Sequence, residues 1–590
     1  MNKLAAYGWG KPLRAMAPGL CFLLFTTGMQ AQQVDLENVG KDLKGKLKDR
    51  KPIKITGGIS ANTIFYKGNA GSGRDPFSYF INGNVNVNVY GVNIPASFAY
   101  TNRGFSYNYT LPRTPNRLSL HPKYKWVTAH VGDVATTFSP YTLNGLLYTG
   151  GGLDLTPKGK WKYSVMGGRL QKAVEYRPEN GQTLATYKRF GYGAKVNYDN
   201  NSYKWGFSIF KAKDVLGSLE FKPDSLQIYP QQNTAVSIEE SIPLVKNLVL
   251  TSEYAISALT RDIRAPKYAD SNKVDWLVKL FGGSTATNIY KAYKTQLNYT
   301  IGSSMVGVGY ERIDPGYQTL GAYYMNNDLE NITANFAQAF FKGKVNLSGN
   351  VGLQRDDLDG KKTGGSRRTV SAVNLNWNAS QRFTSSVSYT NFQTYTNVKP
   401  QFQYINQLTP FDNLDTLNFR QLSQNGNVNV NYVVSTNKEK PQNLNVNLSF
   451  QDSYDMQGGI ITDASASQFY NFAGAYSFNN IKKAMSITGA MNVTYNTIGK
   501  NEMITLGPTV AVSNQFWKKQ IRTNGSVSYN TTPSNAVTAG QQVISVRLTG
   551  GYIYKKKHNV NISLVSMNRM AGGQKAMYDY TGTVAYNYNF

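Results

Sequence analysis

The chain has 590 residues and combines a polar average with many aromatic and glycine residues. Its mean hydropathy of −0.41 excludes a bundle of membrane-spanning helices, whereas 41 Tyr, 27 Phe and 54 Gly are too many for a disordered chain. The 63 Lys and Arg outnumber the 34 Asp and Glu, which gives a net charge of +29. These facts together indicate a fold that hides apolar side chains at every second position.

The N-terminus has the layout of a secretory signal peptide. Lys3, Lys11 and Arg14 precede a short apolar run at 20–25, which is too short to span a membrane as a helix. Ala31 is the predicted cleavage site. Cys21, the single cysteine of the chain, lies within this peptide, so the mature protein is expected to have no disulfide and no lipid anchor.

The predicted organisation is a signal peptide over residues 1–31, a short leader over 32–51 and one large domain over 52–590. The leader is charged and has helical spacing at Leu36, Val39, Leu43 and Leu47.

Amphipathic segments of about ten residues follow along the rest of the chain. In the segment 81–89, one face carries Asn82, Asn84, Asn86 and Asn88, and the other carries Ile81, Val85, Val87 and Val89. Further segments of this kind are 427–434, 444–450 and 560–564. Asn is a poor strand former, so we expect the Asn face to line a water-filled lumen and the apolar face to contact lipid.

The connections between segments alternate between short and long. Short, lysine-rich turns occur at 158–162, 245–247, 342–344, 480–483, 517–520 and 555–558, and long connections occur at 260–286, 315–328, 355–368, 397–418 and 455–465. Outer-membrane barrels have short periplasmic turns and long external loops, whereas a soluble sandwich or propeller has no reason to sort its loops in this way. The pattern predicts that residues 52–590 form one outer-membrane β-barrel of about 24–26 antiparallel strands and that 32–51 is a periplasmic leader. The main irregularity lies between Val92 and Leu143.

The last segment, 578–590, alternates without interruption. Tyr578, Tyr580, Gly582, Val584, Tyr586, Tyr588 and Phe590 share one face. A strand that ends on an aromatic residue resembles the closing strand of bacterial outer-membrane β-barrels. The resemblance implies that Phe590 is the signal read by the barrel-insertion machinery, and that both termini of the mature chain are periplasmic.

Segments 138–145 and 310–324 are similar to segments of large outer-membrane proteins of the Bacteroidota, and the stretch 51–62 has the same character. This resemblance supports a barrel. The leader over 32–51 is much shorter than the plug domain of a TonB-dependent receptor, so we expect no such plug. It brings no catalytic residues with it.

Aromatic residues are frequent in two of the long connections. We predict that Tyr317, Tyr323, Tyr324, Phe402, Tyr404 and Phe411 belong to loops that fold inward to gate the lumen, dock a partner or pack on one another, since exposed rings are costly. A short helix over 273–281 could cap the mouth.

Enzymatic and metal-dependent functions find little support in the sequence. His558 falls in a predicted turn, and His121 and His130 flank one strand without a recognisable partner, so we predict no catalytic residues, no metal site and no cofactor. We expect the positive charge to bind lipopolysaccharide phosphates, to give the lumen a preference for anions or to bind an acidic partner. We do not expect it to bind nucleic acid.

The predicted function is therefore a porin-like pore in the outer membrane for polar solutes. The alternatives are a barrel that translocates or anchors a surface protein, and a plugged structural or adhesive barrel. The expected partners are outer-membrane lipid, lipopolysaccharide, the insertion machinery and a surface or periplasmic protein.

Overall fold

The computed structural model describes residues 53–69, 74–102, 116–177, 185–220, 228–267, 278, 281, 283–360, 367–391, 422–454, 456–457, 460–461, 466–499, 501–534, 540–572 and 575–590. Within this part of the chain the structure is almost entirely β. A 3₁₀ turn occurs at Phe341–Gly343, and no helix there is long and apolar enough to cross a membrane.

The strands follow one another along the chain. The first are β1 (Ile53–Gly68), β2 (Phe77–Val89), β3 (Val92–Thr101), β4 (Arg117–Leu120), β5 (Lys123–Tyr124), β6 (Val127–Thr136), β7 (Leu143–Asn144), β8 (Leu146–Leu155), β9 (Trp161–Gln171) and β10 (Arg189–Asp199). The next are β11 (Lys204–Asp214), β12 (Gln232–Val245), β13 (Leu248–Thr260), β14 (Thr287–Ile301), β15 (Ser304–Ile313), β16 (Gly321–Ala322), β17 (Leu329–Phe340), β18 (Val345–Arg355), β19 (Arg367–Asn378) and β20 (Phe383–Thr390). The last are β21 (Leu422–Ser435), β22 (Gln442–Tyr454), β23 (Met456–Gln457), β24 (Ile460–Ile461), β25 (Ser467–Asn480), β26 (Met485–Ile498), β27 (Asn501–Phe516), β28 (Ile521–Thr532), β29 (Gln541–Tyr554), β30 (His558–Ala571) and β31 (Met577–Asn589).

One antiparallel sheet contains 27 of these strands and closes on itself, because β31 returns to pair with β1. Strands β4 and β5 share one position in the wall, since both lie between β3 and β6. The result is a closed barrel of 26 strands, which confirms the predicted fold class.

The break between β4 and β5 lies at His121 and Pro122, inside the region where the sequence pattern is irregular. Proline has no N–H to donate to the ladder, so a continuous strand cannot pass through this position unchanged. The carbonyl of Pro122 still accepts a hydrogen bond from the Ala129 N–H, at 2.9 Å. The wall is therefore interrupted locally but keeps its closure.

The register separates two faces of the wall. Directly paired residues share a face, and β1 pairs Ile53 with Val89 and Phe65 with Phe77. The large exposed side chains of the outward face include Tyr192, Trp205, Val308, Leu353 and Leu564. Asn82, Asn84, Asn86 and Asn88 have the opposite parity and face the lumen, as the sequence pattern predicts.

The connections divide between two rims. One rim, here called the short-turn rim, has the start of β1, the end of β31 and the connections 90–91, 125–126, 156–160, 200–203, 246–247, 302–303, 341–344, 379–382, 436–441, 481–484, 517–520 and 555–557. The other, the long-loop rim, has the remaining connections. All the lysine-rich turns singled out in the sequence lie at the short-turn rim, although His558 is the first residue of β30 and not part of a turn.

Candidate functional site: inner loops, lumen wall and rims

The connection 137–145 between β6 and β8, here called the first inner loop, folds into the lumen. Phe138 and Tyr141 are each 3% exposed. The N–H of Phe138 donates to the carbonyl of Leu143 at 2.8 Å, which closes the loop on itself. Gly193 of β10 makes room for the ring, since a Cβ there would lie 2.8 Å from Phe138. The loop is therefore fitted to the inner wall.

The connection 314–328 between β15 and β17, the second inner loop, binds the first. Its strand β16 pairs in parallel with β7. The Tyr317 hydroxyl donates to the carbonyl of Tyr141 at 2.8 Å, and the Thr319 hydroxyl donates to the carbonyl of Thr142 at 2.6 Å. Gly321 permits the close approach, because a Cβ there would lie 2.3 Å from the Thr142 oxygen. The two inner loops form one body.

Apolar side chains of this body pack on the inner wall between β6 and β17. Two buried clusters result. The first contains Val134, Phe138, Leu143, Leu146, Tyr148, Met166, Leu170, Phe210, Ala212, Leu259 and Leu320, and the second contains Tyr141, Ala255, Ala292, Ile313, Tyr317 and Leu329. One side of the lumen thus has a hydrophobic core, which is what holds the loops inside.

A half-buried ion pair anchors the first inner loop. Lys195 Nζ lies 2.8 Å from Glu239 Oε2 and also donates to the carbonyl of Phe138. On the second inner loop, the Leu320 N–H donates to Asn233 Oδ1 at 3.1 Å. Charged and amide side chains of the wall therefore satisfy loop groups that are shielded from water.

A chain of hydrogen bonds extends from the first inner loop along the wall. The Tyr141 hydroxyl donates to Glu311 Oε1 at 2.7 Å, and Asn331 Nδ2 donates to Glu311 Oε2 at 3.1 Å. Gln354 Nε2 donates to Asn331 at 2.8 Å, and Arg368 Nε donates to Gln354 at 2.8 Å. Five elements are linked in this way from the loop to β19.

Both tyrosine hydroxyls in these contacts remain protonated donors. Burial raises the pKa of Tyr141 above its usual range, and the nearby carboxylate of Glu311 raises it further. Burial also raises the pKa of Tyr317, with a smaller contribution from Glu253. The loop contacts therefore do not depend on alkaline titration of these phenols.

The inner face on the other side of the barrel is neutral. Strands β20–β27 contain the carboxylates Asp452 and Glu502, and the register places both on the outward face. The inward positions carry amides and hydroxyls, among them Ser388, Asn427, Asn445, Asn471, Asn492 and Thr509. We call this surface the neutral arc. It includes a concavity of about 440 Å³ beside the ring of Phe469.

Three side chains form a contact that the sequence did not reveal. His121 Nδ1 lies 2.7 Å from His130 Nδ1, and His130 Nε2 lies 2.9 Å from Asp154 Oδ2. His130 and Asp154 both face the lumen, on β6 and β8. Among the described residues, no group of three or more His, Cys, Asp or Glu is arranged to hold a metal ion. The cluster is a hydrogen-bonded element of the wall.

The predicted gating residues have different environments. Tyr317 is fully buried between the inner loops, whereas Tyr323 and Tyr324 of the same loop are 54% and 52% exposed. Phe402, Tyr404 and Phe411 lie outside the described residues. So does most of the predicted helix, of which Val278 and Phe281 are described. The gating role itself stays a prediction.

Phe590 sits at the seam where the barrel closes. Its N–H donates to the Gly57 carbonyl at 3.0 Å, and the Gly57 N–H donates to the Phe590 carbonyl at 3.0 Å. Its ring lies 5.4 Å from that of Tyr588. The last residue thus completes the pairing of β31 with β1. Its predicted role in insertion remains to be tested.

The short-turn rim is strongly basic. Its turns contain Lys125, Lys158, Lys160, Lys246, Lys342, Lys344, Arg382, Lys438, Lys440, Lys482, Lys483, Lys518, Lys519, Lys555, Lys556 and Lys557. Glu439 is the one carboxylate in the same turns, and it lies 2.8 Å from Lys482. Much of the positive charge of the chain is therefore concentrated at one end of the barrel.

Comparison with known proteins yields structural matches to large barrels. No family model matches the chain, and no curated protein matches its sequence. A chain of an E. coli P pilus tip assembly intermediate (PapC-PapD-PapK-PapG) matches with a TM-score of 0.42 and 11% identity, over 92% of this chain and 62% of that one. This protein therefore spans less than two thirds of that chain.

Two further matches come from other bacteria. The FrpB iron transporter from Neisseria meningitidis has a TM-score of 0.37 and 10% identity over 93% of this chain and 84% of its own. OccAB4 from Acinetobacter baumannii has a TM-score of 0.27 and 10% identity over 66% of this chain and 99% of its own. Similarity at this level carries no information about function.

Proposed function

We propose that this protein is an outer-membrane barrel that provides a pore for polar solutes. The neutral arc carries the proposal. Amides and hydroxyls along strands β20–β27 face the lumen, where they can exchange hydrogen bonds with water and with polar solutes. A plugged structural barrel has no need for such a surface.

The inner loops support a restricted passage. They occupy the side of the lumen between β6 and β17 and are held there by the two apolar clusters. A solute would therefore pass between the inner loops and the neutral arc. The aromatic loops predicted from the sequence remain the proposed gate.

The proposed pore prefers anions, and the cations of the short-turn rim support this preference. Lysines around one mouth raise the local anion concentration, an effect that weakens as salt shortens the screening length, which is about 10 Å at 0.1 M. In the proposed orientation this rim is periplasmic, together with both termini. No catalytic activity is part of the proposal.

Planar-bilayer recording tests the proposal. The purified protein alone should conduct, and its reversal potential in a salt gradient should favour anions. A variant with Lys518→Gln, Lys519→Gln, Lys555→Gln and Lys556→Gln should lose part of that preference and keep most of its conductance. A properly inserted barrel that conducts no ions would contradict the pore.

A second candidate function is the translocation or anchoring of a surface protein. It is favoured by the exposed rings of Tyr323 and Tyr324, which could dock a partner polypeptide. Under this hypothesis the purified barrel conducts no ions in planar bilayers and co-purifies from its native membrane with a large surface protein. Tyr323→Ser with Tyr324→Ser should then abolish the co-purification.

A further inference from the structure

Several tips of the short-turn rim combine an exposed apolar side chain with lysine. Phe341 is 76% exposed and is followed by Lys342, and Trp517 is 73% exposed and is followed by Lys518 and Lys519. Ile481, 54% exposed, precedes Lys482 and Lys483 in the same way. The same pairing of residue types thus recurs in turns that are far apart along the chain.

At two of these tips, 341–344 and 517–520, the backbone is one that lysine does not favour. Lys342, Lys518 and Lys519 have φ angles of 57°, 52° and 67°. Asn and Gly adopt this left-handed conformation at lower cost and dominate tight hairpin turns. The turn geometry therefore does not explain lysine at these positions, and charge is what distinguishes lysine from the residues that favour such a turn.

The distribution of these tips indicates what they contact. The turns at 341–344, 481–484 and 517–520 lie on one side of the barrel, between β17 and β28. The same pairing recurs elsewhere on the rim, where Trp126, 37% exposed, follows Lys125 and Val245, 60% exposed, precedes Lys246. Such pairs therefore occur around most of the rim. A docked protein would touch one arc of the rim. A membrane leaflet surrounds all of it.

The residue types match the interface of a leaflet. Aromatic side chains sit at the level of the lipid headgroups, and lysine near an anionic membrane surface gains about fivefold in local affinity per residue. We propose that the tips of the short-turn rim bind anionic phospholipid headgroups of the leaflet at that rim, with Phe341, Ile481 and Trp517 inserted beside the lipid and the adjacent lysines on the phosphates. This inference does not require the barrel to conduct, although Lys518 and Lys519 also belong to the cations proposed to attract anions to the pore mouth.

Lipid selectivity measured by quenching tests the proposal. Gln520→Cys, combined with Cys21→Ser, gives a single site for a fluorophore beside Trp517. The labelled barrel is reconstituted in phosphatidylcholine vesicles that contain a small share of spin-labelled phosphatidylglycerol or, in parallel, spin-labelled phosphatidylcholine. Quenching should show about fivefold enrichment of phosphatidylglycerol at low salt, and the enrichment should disappear at high salt.

Two triple variants separate the effect of the rim lysines from the effect of lowering the net charge of the protein. Lys342→Gln, Lys518→Gln and Lys519→Gln should bring the enrichment near one. The matched control is Lys188→Gln, Lys211→Gln and Lys213→Gln at the long-loop rim, which should leave it unchanged. An unboiled detergent gel confirms that both variants are folded.

Three results would overturn the proposal. One is equal quenching by spin-labelled phosphatidylglycerol and phosphatidylcholine when the rim lysines are unchanged. Another is an enrichment of phosphatidylglycerol that persists after Lys342, Lys518 and Lys519 are replaced by Gln. The third is an absent lipid preference together with quenching by an added spin-labelled polyglutamate peptide, which would assign the rim to an acidic protein.

Discussion

The hydroxyl of Tyr317 donates a hydrogen bond to the backbone carbonyl of Tyr141 across 176 residues of sequence, at a distance of 2.8 Å. The two rings also meet edge to face, with centroids 6.2 Å apart. Because both residues lie in connections between strands, this contact joins two parts of the barrel that the sheet does not bring together. It makes the inner loops one body, which narrows the lumen on one side.

Replacing Tyr317 by Phe should weaken the attachment of the two inner loops to each other without leaving a cavity between them. The ring stays, but the Tyr141 carbonyl loses its donor in a buried setting, which costs about 1–3 kcal/mol. Burial raises the pKa of Tyr317, so the loss should be the same at neutral and mildly alkaline pH. Urea unfolding of the barrel in lipid vesicles measures the loss in the free energy of unfolding. Tyr299→Phe, on the outward face, is the control. Equal stabilities of the two variants would argue against the contact.

Gly321→Val should release the second inner loop from the first. A Cβ at Gly321 would lie 2.3 Å from the Thr142 oxygen, so β16 cannot stay paired with β7. If the loops narrow a pore, single-channel recordings should show larger and noisier conductance. Gly489→Val is the matched control, since a Cβ there meets nothing within 4 Å. A Gly321→Val channel that behaves like the control would remove the inner loops from the conduction pathway.

The architecture could be predicted because period-two alternation is a local signal. Asn82 to Asn88 and Tyr578 to Tyr588 reveal their faces without any knowledge of the neighbouring strand. Turn length is equally local, so the lysine-rich turns could be assigned to one rim. The broken strand at His121 and Pro122 was visible only as an irregularity in the pattern. The sequence does not show that the two halves on either side of the proline still pair with the same neighbouring strands.

The contacts inside the lumen could not be predicted in the same way. His130 and Asp154 are 24 residues apart, and nothing local signals that β6 and β8 bring them within 2.9 Å. Tyr141 and Glu311 are separated by 170 residues. The aromatic content of 310–324 gave a hint that the loop is buried. The identity of its partner depends on the register of the whole barrel.

Closure predicts a shift on heating. The pairing of β31 with β1 leaves the main sheet without a free edge, so detergent cannot unravel it strand by strand. Unboiled and boiled samples from the membrane fraction should therefore run at different positions on a detergent gel. Identical mobility, together with recovery from the soluble fraction, would contradict a membrane-embedded barrel.

Phe590 should matter for insertion more than for the fold. Its backbone pairs with Gly57 through two hydrogen bonds that any residue can make, so Phe590→Lys keeps the seam but removes the terminal ring. If the ring is the insertion signal, outer-membrane levels of this variant should fall and periplasmic degradation should rise. Phe516→Lys, at an outward aromatic that is 47% exposed near the same rim, is the control for the added charge. Surface levels measured by protease accessibility on whole cells should be reduced more by the change at Phe590, and unchanged levels in that variant would show that the terminal residue is not read.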